Sequence, residues 1–238
     1  MPTVSTTTPL NFPTLLSLVT RVRREVTRET LASLTNDAIN NVIVDSINDA
    51  VEDIYYKDRW NWKKSLYNVK LIASQSDYAL PPDFYQIATE PTYNGIMMVE
   101  VEPEQWTRYT YDPQITATLS SGSPVVYMVD RALFRVHPTP SSDTISIAPH
   151  IQLVYYRRPP SRLTITSDSS NPPDLPPEFI EAVISFAKWK LKIHLQFDDF
   201  ELEEKRYMQV VQRQIENDYL SVHPVRVRPR NWSSANFG

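Results

Sequence analysis

Leu175 to Leu191 read LPPEFIEAVISFAKWKL, and what this stretch does to the pattern around it decides the fold. Phe179, Val183, Ala187, Leu191 and Leu195 recur at helical spacing. Pro177 falls in a first turn, where its missing amide costs nothing, and Glu178 and Glu181 suit the positive end of a helix dipole. The chain therefore returns to helix here after a long strand-like region. A near copy, LPPDF, stands at Leu80 to Phe84, but Ile87 and a β-rich run follow it, so its prolines mark a turn where no ladder amide is needed. The flanks of the two copies have different periods, which excludes an internal repeat.

Working back to the N-terminus, Leu15, Leu18, Val19, Val22 and Val26 predict an amphipathic helix from about Phe12, with Arg21, Arg24, Glu25 and Arg28 among its polar positions. A second helix is predicted after Thr35, whose hydroxyl caps it while Leu34 staples onto Ile39; it runs through Ile43, Ile47, Val51 and Ile54. Tyr55, Tyr56, Trp60 and Trp62 close it as an aromatic cluster. From Tyr67 the period becomes two, with Val69 and Leu71 alternating with Asn68, Lys70 and Ile72. Asn94-Gly95 is a strong hairpin signal, with Met97, Val99 and Val101 alternating on the return. The segment PEQWTRY from Pro103 fits a short helix or a strand equally well. Further strands are predicted over Val125–Val129, Leu133–His137, Thr144–Ala148 and Ile151–Arg157. A last helix follows a turn near Asp198 and carries Tyr207, Val211, Ile215 and Tyr219, with Glu201 and Lys205 at favourable spacing.

The expected architecture is α+β. Residues 11–63 and 175–220 each supply a helix pair that cannot bury its apolar stripe alone, which predicts a four-helix cluster, one discontinuous helical domain. Residues 64–160 form an inserted, mainly antiparallel β domain, 161–174 a polar linker, and 221–238 an extended C-terminal arm.

Composition narrows the function. The 238 residues are 41% hydrophobic, enough for a real core, and 3 glycines against 20 prolines suit rigid extended connections. A net charge of -4 gives no global basic field, so any nucleic-acid contact is local. With no cysteine there is no disulfide frame, thiolate nucleophile or Cys-based metal site, which fits assembly inside a cell. Neither a signal peptide nor an apolar run of about 18 residues is present, so the chain reads as soluble, untargeted and without membrane contact. His194 near Asp198, Asp199, Glu201 and Glu203 resembles a metal site only superficially, because no second histidine stands at ligand spacing. Gly95, Gly122 and Gly238 lie too far apart for a P-loop or a G-x-S-x-G elbow. No catalytic residue, metal or cofactor is expected.

Five stretches in order carry a resemblance: INDAVEDIYYKDRWNW at Ile47–Trp62, DYALPPDFYQI at Asp77–Ile87, GSPVVYMVDRALFRVHPTP at Gly122–Pro140, LVYYRRPPSRL at Leu153–Leu163, and LPPEFIEAVISFAKWKL at Leu175–Leu191. In that order they resemble the head-to-tail adaptor (connector) proteins of tailed bacteriophages, especially the short-tailed type. The resemblance implies a virion protein at the head-tail junction, assembled in the host cytoplasm. It implies a ring of twelve subunits docked under the portal protein, meeting a tail (nozzle) protein and surrounding DNA that passes through without sequence-specific binding. The helical part would build the annulus and the β part would grip neighbours.

Three candidate surfaces follow from the residues. The arm offers Arg226, Arg228 and Arg230 with Trp232 and Phe237 as anchors and no acid, suited to a grooved or acidic partner. Trp106, Tyr109 and Tyr111 are candidates for a subunit or tail interface rather than base-stacking platforms. Glu201, Glu203 and Glu204 belong to an acidic run expected to be solvated, and in a ring they would line a lumen that repels DNA. The alternative is a nucleic-acid-binding accessory module acting through the arginine-rich tail.

Overall fold

A computed structural model describes residues 13–29, 37–111, 121–165 and 170–222. The chain divides into two compact units, one of Asn61–Ser161 and one of the flanking segments up to Trp60 and from Arg162. Helices and largely antiparallel strands coexist, so the class is α+β, as the periodicities predict.

The flanking unit contains α1 (Leu15–Thr27), α2 (Ala38–Lys57), α5 (Ile180–His194) and α6 (Phe200–Val222). Thr14 caps α1, its hydroxyl accepting from the Ser17 amide, and Asp37 caps α2 through the Asn40 amide at 2.8 Å. The start of α2 is thus later than predicted; Thr35 and Leu34 lie outside the described residues. At its other end α6 continues through Val222, past the predicted end at 220. Helix α5 packs against α1, α2 and α6. That explains its composition: consecutive positions 182–184 and 186–187 are buried along with Leu191, the pattern of a helix covered on more than one side. The turn Pro177–Phe179 enters it with proline in the first positions, the role read from LPPEF.

Arg162, Leu163 and Asp174 are tied to α2. Asn48, buried within α2, donates to the Leu163 carbonyl and accepts the Leu163 amide, both at 2.9 Å. Tyr55 donates to the Asp174 carboxylate at 2.9 Å, and Arg162 pairs with Asp49 and Glu52. Of the residues predicted to form the aromatic cluster, Tyr55 and Trp60 are buried, Tyr56 is exposed and Trp62 is half-buried.

Among its described residues the Asn61–Ser161 unit holds two four-stranded sheets. One has the order β1 (Lys64–Lys70), β8 (His150–Arg157), β3 (Phe84–Tyr93), β4 (Ile96–Met97). The other runs β2 (Asp77–Ala79), β7 (Leu133–His137), β6 (Val126–Asp130), β5 (Val99–Glu100), with only β5 and β6 parallel. Val69, Tyr93, Ile151, Leu153 and Tyr155 of the first share one core with Tyr78, Tyr127, Phe134 and Val136 of the second. Asn94 and Gly95, at φ 49° and 77°, make the predicted hairpin turn, and Tyr93 faces Ile96 across it. Positive φ at both central residues is what glycine and asparagine tolerate. LPPDF is a turn, as read: the Phe84 amide donates to Pro81 at 3.0 Å.

Two expectations fail in this unit. The return strand does not alternate outward from Met97; the chain leaves the first sheet after Met97, buries Met98, and joins the second sheet at Val99. Thr144–Ala148 is not a strand: Thr144 to Ile147 lie in helix α4 (Ser142–Ile147), which ends at Ala148 and is capped by Ser141, whose hydroxyl accepts from the Thr144 amide at 3.2 Å. The open choice at Pro103 resolves as helix α3 (Pro103–Tyr111), with proline leading its first turn.

Candidate functional site

A ladder of ion pairs runs through α1, α5 and α6. Arg206 meets Glu181 at 3.3 Å and Glu181 meets Arg21 at 2.8 Å. Arg21 then holds Glu25 at 3.0 Å, Glu25 meets Lys188 at 3.3 Å, and Lys188 meets Glu203 at 2.8 Å. Lys192 completes it, bridging Glu203 at 3.4 Å and Asp199 at 2.7 Å. Burial of Glu25 opposes its ionisation, but hydrogen bonds from Arg21 and Lys188 win and hold its carboxyl below the usual range. Burial likewise opposes charge on Lys192, and the bonds to Asp199 and Glu203 outweigh it, raising that ammonium.

This geometry corrects the reading of the acidic run as a solvated face. Glu201 is exposed and Glu204 half-buried, but Glu203 is only 8% exposed and points into the helices. The signal was available: Glu203 stands four residues before Tyr207 and eight before Val211, both buried, so it shares their stripe. Lys188 and Lys192, also four apart, face it from α5. Glu203 is a buried ion-pair member, held by Lys188 and Lys192.

Trp106 is likewise committed inward, packed with Val101, Val126 and Met128, while Tyr109 lies half-buried against the same cluster. Both rings approach His137, at 6.3 Å and 6.1 Å between centroids. The side chain of Tyr111 lies outside the described residues, as do Arg226, Arg228, Arg230, Trp232 and Phe237.

Beside α3 lies a cavity of about 510 Å³ lined by Asp77, Trp106, Asp130, Arg135 and His137, among others. Arg135 Nη2 stands 3.2 Å from Asp130, and Arg135 Nε 3.8 Å from Asp77, too far for a hydrogen bond. Among the described residues Arg135 Nε and His137 Nε2 are buried without a hydrogen-bond partner. The hydroxyl of Ser76 donates to Asp77 at 3.0 Å rather than to His137, so the lining assembles no nucleophile and base. Among the described residues no cluster of three or more His, Cys, Asp or Glu could hold a metal ion, and no helix is long and apolar enough to cross a membrane.

Burial pushes the His137 imidazole below its ordinary value. The unfolded chain therefore binds the proton more readily, and stability is full above about pH 6.5 and declines as pH falls through the lowered folded value. Replacing His137 by glutamine is expected to flatten that acid decline between about pH 7 and 5, where imidazoles titrate. Thermal unfolding by circular dichroism at both pH values checks this.

A protein-family model described as SU10 adaptor protein matches residues 13–235. No curated protein matches the chain. The match spans every described helix and strand, which run from Leu15 to Val222.

Proposed function

The chain belongs to the SU10 adaptor protein family, and from that premise we propose that it is a subunit of a head-to-tail adaptor ring that docks under the portal and bridges it to the tail. The family is one of phage structural proteins of the neck, not a class of enzymes. The observation that carries the reading is the extent of the match, 13–235, across both compact units. Its mechanism is geometric: subunits in heterologous contact close a cycle around the DNA channel. Twelve copies fit the portal, with the nozzle protein on the opposite face, and assembly takes place in the host cytoplasm.

Within this reading the arm residues Arg226, Arg228, Arg230, Trp232 and Phe237 engage a partner by charge and apolar anchoring. Tyr109 and Tyr111 sit at an interface, and Trp106 supports them from the core. Glu201 and Glu204, without Glu203, present the lumen charge. The C-terminal helix pair and the N-terminal pair act together as one annulus.

Removal of 223–238 is expected to lower retention on the portal by about tenfold or more, the loss that goes with a few anchoring residues, while leaving the far-UV spectrum unchanged. Sedimentation of full-length and shortened chains with the portal protein measures this. Electron microscopy of the neck tests the ring itself. A chain that stays monomeric with the portal and binds DNA with a steep salt dependence would instead support a nucleic-acid accessory module acting through its arginines.

A further inference from the structure

The two edges of the first sheet in the Asn61–Ser161 unit are unlike, and their differences match. Strand β1 forms one edge, pairing among the described residues only with β8. Its exposed side chains include Lys64, Lys70 and Leu66, the last 60% exposed. At the far side the chain from Ile96 to Glu100 is first the edge of one sheet as β4 and then the edge of the other as β5. Ile96 and Met97 are 68% exposed there, Val99 61%, and the adjoining Val125 47%.

An edge kept free by selection carries lysine, proline or a bulge, and large apolar side chains are turned away from solvent. The β1 edge fits that description in part; the Ile96–Glu100 edge does not, because four large apolar residues cluster on it. Charge separates the edges further. Between Lys70 and Arg108 the sequence has no lysine or arginine but carries Asp77, Asp83, Glu90, Glu100, Glu102 and Glu104. Glu90, Glu100 and Glu102 flank the apolar edge and are exposed. Among the described residues none of Lys64, Lys70, Glu90, Glu100 and Glu102 has a salt-bridge partner.

We propose that the Ile96–Glu100 edge of one copy docks against the β1 edge of the next, extending the sheets from subunit to subunit. The occupant is a second copy of this chain, because a basic edge bearing Leu66 and an acidic edge bearing Ile96, Met97 and Val99 complement each other in charge and in apolar character. The contact joins two different surfaces, the kind that propagates around a closed ring. This rests on the ring proposed above and assigns the β unit to contact between subunits.

The test uses full-length chains and the portal protein, with copies retained per portal as the measurement. Lys64→Glu with Lys70→Glu is expected to raise the concentration needed for a full ring by about tenfold or more, as like charges are brought together. Glu90→Lys with Glu102→Lys is expected to do the same. A chain carrying all four substitutions swaps the charges of both edges and is expected to regain the ring. Circular dichroism establishes that each variant is folded. Reversed chains that assemble like the unmodified one, or a folded four-substitution chain that stays unassembled, would overturn the edge contact while leaving the ring standing. An unmodified chain that never forms a ring would remove the adaptor-ring reading itself.

Discussion

Replacing Trp60 by alanine is expected to remove about 4 kcal/mol from the stability of the helical unit, within the range for deleting a large buried aromatic. The indole is 1% exposed and meets the Phe179 ring edge-on with centroids 5.0 Å apart. Its Nε1 donates to the Ile54 carbonyl at 2.6 Å. Ile54 is in the last turn of α2, whose final carbonyls have no partner further along the helix, so Trp60 serves as a cap from beyond the helix end. Alanine would leave both a cavity and an unsatisfied carbonyl. Phenylalanine would fill most of the space and forfeit only the hydrogen bond, at about 1–2 kcal/mol. Urea denaturation followed by far-UV circular dichroism separates the two. Equal losses for both would show that the donor, not the packing, carries the effect.

Lys188→Ala is expected to cost about 3 kcal/mol, because removal of one member of a buried pair strands the other. Glu203 would keep Lys192 at 3.4 Å, but it would lose the closer partner at 2.8 Å, and its Oε2 already has no hydrogen-bond partner among the described residues. Methionine at the same position keeps the stem and removes only the charge, so a similar loss for Lys188→Met identifies charge as the cause. Pairing Lys188→Met with Glu203→Leu is expected to recover most of the stability, since apolar replacement of a buried pair is often neutral or better. Denaturation midpoints of the three variants test this. Any experiment that reverses the acidic run to probe a DNA channel is therefore confined to Glu201 and Glu204, because lysine at 203 would sit against Lys188 and Lys192.

The sequence is most legible where one local rule acts alone. Ile43, Ile47, Val51 and Ile54 announce a helix stripe, and all are buried. Asn94-Gly95 announces a hairpin, since few other pairs accept positive φ twice. Thr144–Ala148 misleads because Ile145 and Ile147 alternate with polar residues like a strand, whereas a serine cap at Ser141 decides a segment this short. Glu203 misleads for a different reason: the run around it reads as a surface, and only the position of α5 supplies the two ammonium groups that make its burial tolerable. The apolar edge at Ile96–Val99 hides within an alternating pattern, because pattern alone does not reveal that the strand changes sheets midway. Residues of the arm belong to the part of the chain beyond the described helices, and their roles stand on composition.

The helical unit is written in two pieces, with the whole β unit between them. During synthesis the apolar stripe of α2 has left the ribosome long before α5, which covers it, has been made. At roughly 5–20 residues per second, the interval between Lys57 and Ile180 lasts on the order of ten seconds. The Asn61–Ser161 unit, contiguous in the chain, is free to fold during that interval. A nascent chain stalled before Ile180 therefore presents α2 without the helix α5 that packs on it, a target for chaperones and for premature association, until α5 has been made.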